Sequence, residues 1–325
     1  MAAYKRIISL SAFLWVTLTG FAQLDVVKVY IEDGISDPVL KATIENNATH
    51  LLSSFNSTII SNKRLKLEDA CFTKEGRECV RDMWATSAMM CPVSSLTEKC
   101  SSLGEGKGYQ IRNLPVTMLA ADDDTQEQEL VINFTPTGQI DNVLVALEQH
   151  RYIDIINNNI SVTDLIRRQT IVEFVENFRT SYNRKDIDYI ENVFSDHALI
   201  ITGKVIKVKE DSNQSMFSER IQYNTSSKQD YIKNLKRCFS RNAYINLKFE
   251  EIQVMRHPKK EHIYGVTLKQ YWNSSTYSDV GYLFLMIDFT DPELPCIQVR
   301  TWQPEKYNGS KISRDEIFEL SDFDI

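Results

Sequence analysis

The stretch "FVENFRTSYNRKDIDYIENVFSDHALI" (Phe174–Ile200) decides the fold. With Ile171 just ahead of it, Phe174, Val175, Phe178 and Tyr182 fall on one face of an α-helix, at i, i+3, i+4, i+7 and i+11. Arg184 and Lys185 put positive charge at that helix's C-terminus, where its dipole favours it. Asp186 can cap a following turn, and Ile187, Ile190, Val193 and Phe194 make a second, shorter apolar stripe. "ALIITG" then turns β-branched and strand-like. The stretch therefore reads as a long helix, a corner, a short helix and a strand.

Downstream, Lys228–Asn242 carries Tyr231, Leu235 and Phe239 at helical spacing. Four strand candidates follow: Tyr244–Met255, His262–Trp272, Val280–Phe289 and Cys296–Trp302. The short connections "HPKKE", "NSSTYSD" and "TDPELP" fit an antiparallel meander. "VGYLFLMIDF" is apolar at every position of its alternation, so the sheet must be covered on both faces, by helices, a partner domain or a second subunit.

Upstream, "DVVKVYI" alternates like a strand, and Asp37–Ile60 repeats apolar residues from Leu40 to Phe55 as a core-facing helix does. A second helix is expected near Gly76–Ala88. "YQIRNLPVTML" and "ELVINFTPTGQIDNVLVAL" read as strands, the latter a hairpin turning at Thr135-Pro136-Thr137-Gly138. Helices followed by antiparallel strands imply an α+β domain. At 325 residues the chain exceeds one ordinary core. The asparagine run Asn157–Asn159 is the expected boundary, with Ser161 and Asp164 placed like a capping box beyond it. The expected organisation is a signal peptide over 1–22, an α+β domain over 23–159, a second over 160–306 and an acidic tail over 307–325.

The leader expectation rests on Lys5-Arg6, the apolar run Ile7–Leu18 and small residues at Gly20 and Ala22, the pattern of a cleavable export signal. About 12 apolar residues fall short of the ~20 that span a bilayer. Loss of Lys5 and Arg6 would take the net charge from −7 to −9, a poor balance for nucleic acid. Export implies a periplasmic or extracellular location, and an oxidising one. The spacings of Cys71, Cys79, Cys91 and Cys100 match no zinc pattern, leaving disulfides of open connectivity or free buried thiols.

The phrases "IVEFVENFRTSYNRKD", "IDYIENVFSDHALI" and "IQVRTWQP" resemble the nuclear transport factor 2-like (SnoaL-like) superfamily, over roughly Thr163–Pro304. "YNRKDIDYIENVFSDHALIITGK" and "YSDVGYLFLMIDF" resemble more narrowly secreted members from anaerobic Gram-negative bacteria. The resemblance implies a cone: a bent antiparallel sheet wrapped around a long helix, with a pocket at the open end. The first domain resembles it only in order of elements, as a degenerate version would. Enzymes of the superfamily use an Asp, His or Tyr inside the cone as general acid or base, a place that the resemblance gives here to Asp196 and His197.

Either residue has the right chemistry, since burial can raise a carboxyl pKa and imidazole titrates near neutrality. Adjacent strand residues point to opposite faces, so at most one enters the cone; otherwise both shape the turn into the strand. Asp288 needs a partner within its apolar run, and Arg300 on the next strand is available. Tyr182, Tyr271, Trp272, Tyr282 and Trp302 are candidate pocket aromatics, with core or subunit interface as their other reading. Motifs for zinc proteases, serine hydrolases, phosphate loops and dinucleotides are missing, so no cofactor or metal is expected. Eight N-x-[ST] sequons, among them Asn47, Asn133 and Asn224, matter only in a glycosylating host. The sequence points to an exported, non-enzymatic module binding a small apolar ligand, peptide or envelope partner. Its alternatives are a SnoaL-like isomerase, dehydratase or hydrolase, and an assembly subunit dimerising through the sheet face or its tail.

Overall fold

A computed structural model describes residues 25–122, 126–147, 162–209, 217–292 and 294–323. The expected leader, the asparagine run and Ser161 lie outside the described residues. The chain divides into two compact units, 1–146 and 147–325. Among the described residues no helix is long and apolar enough to cross a membrane.

In the first unit, β1 (Lys28–Asp33) is followed by the helices α1 (Pro38–Ser61) and α2 (Lys74–Thr86). Strands β2 (Met89–Met90), β3 (Ser95–Ser102), β4 (Tyr109–Met118), β5 (Glu127–Phe134) and β6 (Ile140–Val145) complete it. The sheet order is β1-β3-β4-β5-β6, with β1 and β3 parallel and the pairs from β3 to β6 antiparallel. Asp37 caps α1 by accepting from Val39 N and Leu40 N. The expected stripe Ile44, Ala48, Leu51, Leu52 and Phe55 is buried against the sheet. The opposite edge of that stripe has a second job. Glu45, Thr49 and Ser53, four residues apart on α1, accept from Ile31 N and Val29 N of β1 and from Val27 N just before it. β1 ends the sheet, and these oxygens satisfy amides that would otherwise offer a free pairing edge.

The second unit opens with α3 (Val162–Arg184) and α4 (Ile187–Asn192), then β7 (Phe194–Lys209), β8 (Phe217–Ser226) and α5 (Lys228–Arg241). The meander β9 (Ile245–Arg256), β10 (Ile263–Ser274), β11 (Ser278–Asp288) and β12 (Cys296–Pro304) follows. The order is β8-β7-β12-β11-β10-β9, all antiparallel except β7 with β12. This is the implied α+β architecture, a curved sheet around a long helix. Its bends sit at bulges, where one strand carries extra residues. Glu251 in β9, with φ +51°, marks one, and Gln298 in β12 is unpaired between Ile297 and Val299.

The opening stretch folds as its pattern implies. Ile171, Phe174, Val175, Phe178 and Tyr182 are buried in the cone's core. Asp186 caps α4 by accepting from Tyr189 N. The corner turns at Lys185 in the left-handed region (φ 60°), an unusual place for a lysine. Its ammonium donates to the Asn242 and Ala243 carbonyls beyond α5, which offsets that backbone cost. α3 also shields the free edge of β9: Arg179 Nε donates to Leu247 O, and Asn183 Oδ1 accepts from Leu247 N.

The doubly apolar strand β11 is covered on both faces, as expected, and the second cover is the chain's own tail. Leu283, Leu285 and Ile287 face the cone. Phe284 and Met286 face outward with Ile263 and Val299, beneath Phe318, Leu320 and Phe323. Gln303 pins this strap: its Oε1 accepts from Phe318 N, and its Nε2 donates to Glu316 O. A Cβ at Gly265 would approach Leu320 Cβ to 3.1 Å and Phe284 Cε2 to 3.0 Å, so the strap needs glycine there.

Candidate functional site

The structure separates the proposed acid–base pair from the cone. β7 pairs Phe194 with Ile297 and Leu199 with Val299, so Ser195–Ala198 bulge away from β12. Asp196 and His197 ride on that bulge, both exposed. Lys228, the first residue of α5, donates to Asp196 Oδ1 at 2.9 Å and to Phe194 O at 2.9 Å. This lysine holds the Asp196 carboxyl below its usual range. The pair therefore seats α5 on the bulge, and the expectation that either projects inward is corrected. Outward geometry follows from the bulge itself, which a strict two-residue alternation does not foresee.

The Asp288–Arg300 pairing is also corrected. Asp288 faces Cys296 across the ladder, whereas Arg300 faces Leu285. An offset of three residues puts the two charges on opposite faces. Asp288 accepts from Thr290 N and Thr290 Oγ1 at the strand end. Tyr271 and Tyr282 share the outer face with Lys269, whose ammonium sits 5.0 Å from the Tyr271 ring centre and 3.0 Å from Glu305. These two tyrosines and Asp288 are not cone residues.

Tyr182, Trp272 and Arg300 do come together inside. The Tyr182 and Trp272 rings meet edge to face at 6.3 Å, and Trp272 stacks on Tyr277 at 5.9 Å. Tyr182 and Tyr231 share a hydroxyl hydrogen bond of 2.5 Å. Arg300 lies over the Tyr231 ring at 5.0 Å and reaches the Tyr182 hydroxyl. Phe178, Phe194 and Phe239 close the cluster from behind. Trp302 points to the same side opposite Leu283, where its ring lies against Gly281.

Sequence reasoning missed Tyr231, Tyr277 and Asp279. Tyr231 was legible as helix stripe, but its approach to Arg300 depends on how α5 crosses the sheet. Asp279 pairs with Trp272 across β10 and β11, and so shares its face.

Electrostatics single out Arg300. Its side chain is 7% exposed, and Nε and Nη1 have no hydrogen-bond partner. Trp272 Nε1, in a side chain 9% exposed, has none either. Among the described residues no carboxylate pairs with Arg300. Burial alone would lower its pKa, but the Tyr231 and Tyr182 oxygens outweigh that and the guanidinium stays charged. Burial, then Tyr231, pushes the Tyr182 hydroxyl well above its ordinary value. Asp279 is raised by burial and partly relieved by the Val280 amide.

The first unit holds one set of metal-capable groups among the described residues, His50, Glu68 and Cys71. His50 Nε2 already accepts from Glu68 N at 3.1 Å, so Nδ1 carries the proton and has no lone pair for an ion. The four clustered cysteines are free thiols in the core, which corrects the disulfide expectation. Cys79 Sγ donates to Val143 O, and burial pushes the Cys100 thiol up to about 11. Four sequon asparagines, Asn47, Asn56, Asn133 and Asn273, are buried and could not carry a glycan in the folded chain.

No family model matches the chain, and neither does any curated protein. Solved structures give distant likenesses. A nuclear transport factor 2-like protein from Cytophaga hutchinsonii is 12% identical, covering 42% of this chain and 98% of its own, with a TM-score of 0.31. An NTF-2 like protein of unknown function from Shewanella oneidensis is 11% identical over 42% and 98%, with a TM-score of 0.30. Bd1075 from Bdellovibrio bacteriovorus is 12% identical over 64% and 75%, with a TM-score of 0.34. At such scores the fold class rests on strand order and register alone.

Proposed function

We propose that the protein is an exported binding module whose second unit receives a small, largely apolar ligand inside the cone. One observation carries this reading: Arg300 Nε, Arg300 Nη1 and Trp272 Nε1 are buried donors without acceptors, gathered in one aromatic cluster. Buried donors are almost always satisfied, so a group of them calls for an oxygen from outside the chain. The aromatic walls suit an apolar body and the donors fix its orientation. Trp272 and Trp302 border the cluster, so saturable change in tryptophan fluorescence on titrating aromatic and aliphatic compounds tests the reading. No response from any of them, and no ligand carried through purification, would refute it. Export is tested by the mass of the mature chain from its native source, with cleavage expected between Ala22 and Gln23.

A second reading keeps acid–base catalysis but moves it to Asp279. Its half-buried carboxyl has a raised pKa and shares a strand face with Trp272, as a general base in a cone requires. Exchange of ligand carbon-bound hydrogen for deuterium in heavy water is the diagnostic. Tight binding without exchange or turnover leaves the binding module standing alone.

A further inference from the structure

We infer that the ligand is a monocarboxylate with an apolar or aromatic body, held by the guanidinium of Arg300; this rests on the binding reading above. Nε–H and Nη1 open onto different edges of the planar guanidinium, so a carboxylate oxygen can take either free donor, and the cation favours a charged acceptor. The groups whose charge or hydrogen bonding bears on Arg300 are Tyr231, Tyr182 and Tyr277, none of them a carboxylate. Arg300 thus offers one positive charge with no carboxylate paired to it among the described residues, enough for one negative charge and too little for a phosphate dianion.

The protein has left this cation without a counter-ion at a cost that a carboxylate would remove. Paired with a carboxylate, Arg300 forms a neutral unit, and a charge-assisted bond fills a donor otherwise empty. The guanidinium sits over the Tyr231 ring at 5.0 Å, and the Tyr182–Tyr231 hydrogen bond holds that ring. Trp272 Nε1 offers a third donor within the same cluster for an oxygen elsewhere on the ligand. The aromatic set then contacts the apolar body.

Full-length protein is titrated calorimetrically with benzoate, 2-naphthoate and octanoate, each beside its primary amide, which has the same shape without the charge. The wild type should prefer at least one acid over its amide by about 10- to 100-fold, the worth of bonds to a charged group. Arg300→Met should remove that preference, weakening the acid far more than the amide. Trp272→Phe should weaken acid and amide alike by less. Amides binding as well as acids would overturn the carboxylate inference and spare the binding reading, with water as the partner of Arg300. Binding of none of the six would remove both. If Arg300→Met fails to fold, the acid–amide comparison in the wild type decides alone.

Discussion

Both units lay a helix along a free sheet edge, yet they distribute buried polarity differently. In the first unit, the buried asparagines close on the chain itself, while the unpartnered atoms Arg77 Nε and Ser87 Oγ belong to separate side chains. Asn56, fully buried, donates to Cys91 O and accepts from Cys91 N, and Asn47 donates to Gly138 O. Glu45, Thr49 and Ser53 are spent on β1 and on Val27 just before it. In the second unit the edge is closed the same way by Arg179 and Asn183, but the cone ends in donors with nothing to bond. Single unpartnered atoms occur in both units. What sets the second unit apart is that three donors, on Arg300 and Trp272, gather in one aromatic cluster.

The largest effect is expected from truncation after Pro304. It uncovers Phe284, Met286 and Val299, whose cover is Phe318, Leu320 and Phe323. Loss of that apolar burial should cost ~3–6 kcal/mol in denaturant unfolding and promote self-association in sedimentation. A truncated chain of unchanged stability would show that the strap is not part of the folded unit. Next in size, Asn56→Ala should cost ~2–4 kcal/mol, because it strands both polar groups of the Cys91 backbone. A change below ~1 kcal/mol would erase the contrast between the units.

The sequence made the helices and the meander legible, since stripes such as Phe174-Phe178-Tyr182 and alternations such as β10 follow from burial on one face. It hid β3 and β8, whose residues are mostly exposed and so carry little alternation. Register was hidden too. One unpaired residue in β12 and a longer bulge in β7 decide that Arg300 faces inward, that Asp288 faces outward, and that Asp196 and His197 leave the cone. Bulges are set by backbone fit between strands, which composition does not record. The tail was visible as apolar spacing, but its target was not, because β11 is equally apolar on both faces.

Two smaller effects concern pH. Tyr182 is held neutral in the fold, so its contribution is complete below the ordinary tyrosine value near ~10 and is lost as pH rises beyond it. Stability should fall on that alkaline limb, and Tyr182→Phe should flatten the fall. Asp279 is likewise raised, so its carboxyl favours the fold only while protonated and weighs against it above its ordinary value. Asp279→Asn should therefore raise the melting temperature at pH 7 by about 1–3 °C and change it little near pH 3. Equal shifts at both values would assign the effect to packing.

The central claim is that Arg300 serves a ligand and not the fold, and Arg300→Met tests it most directly by denaturant unfolding of ligand-free protein. Replacing a buried, uncompensated charge with an apolar side chain of similar length should leave stability unchanged or raise it by ~1–2 kcal/mol. A loss of more than ~2 kcal/mol would contradict the claim and make Arg300 a structural residue held by its tyrosines.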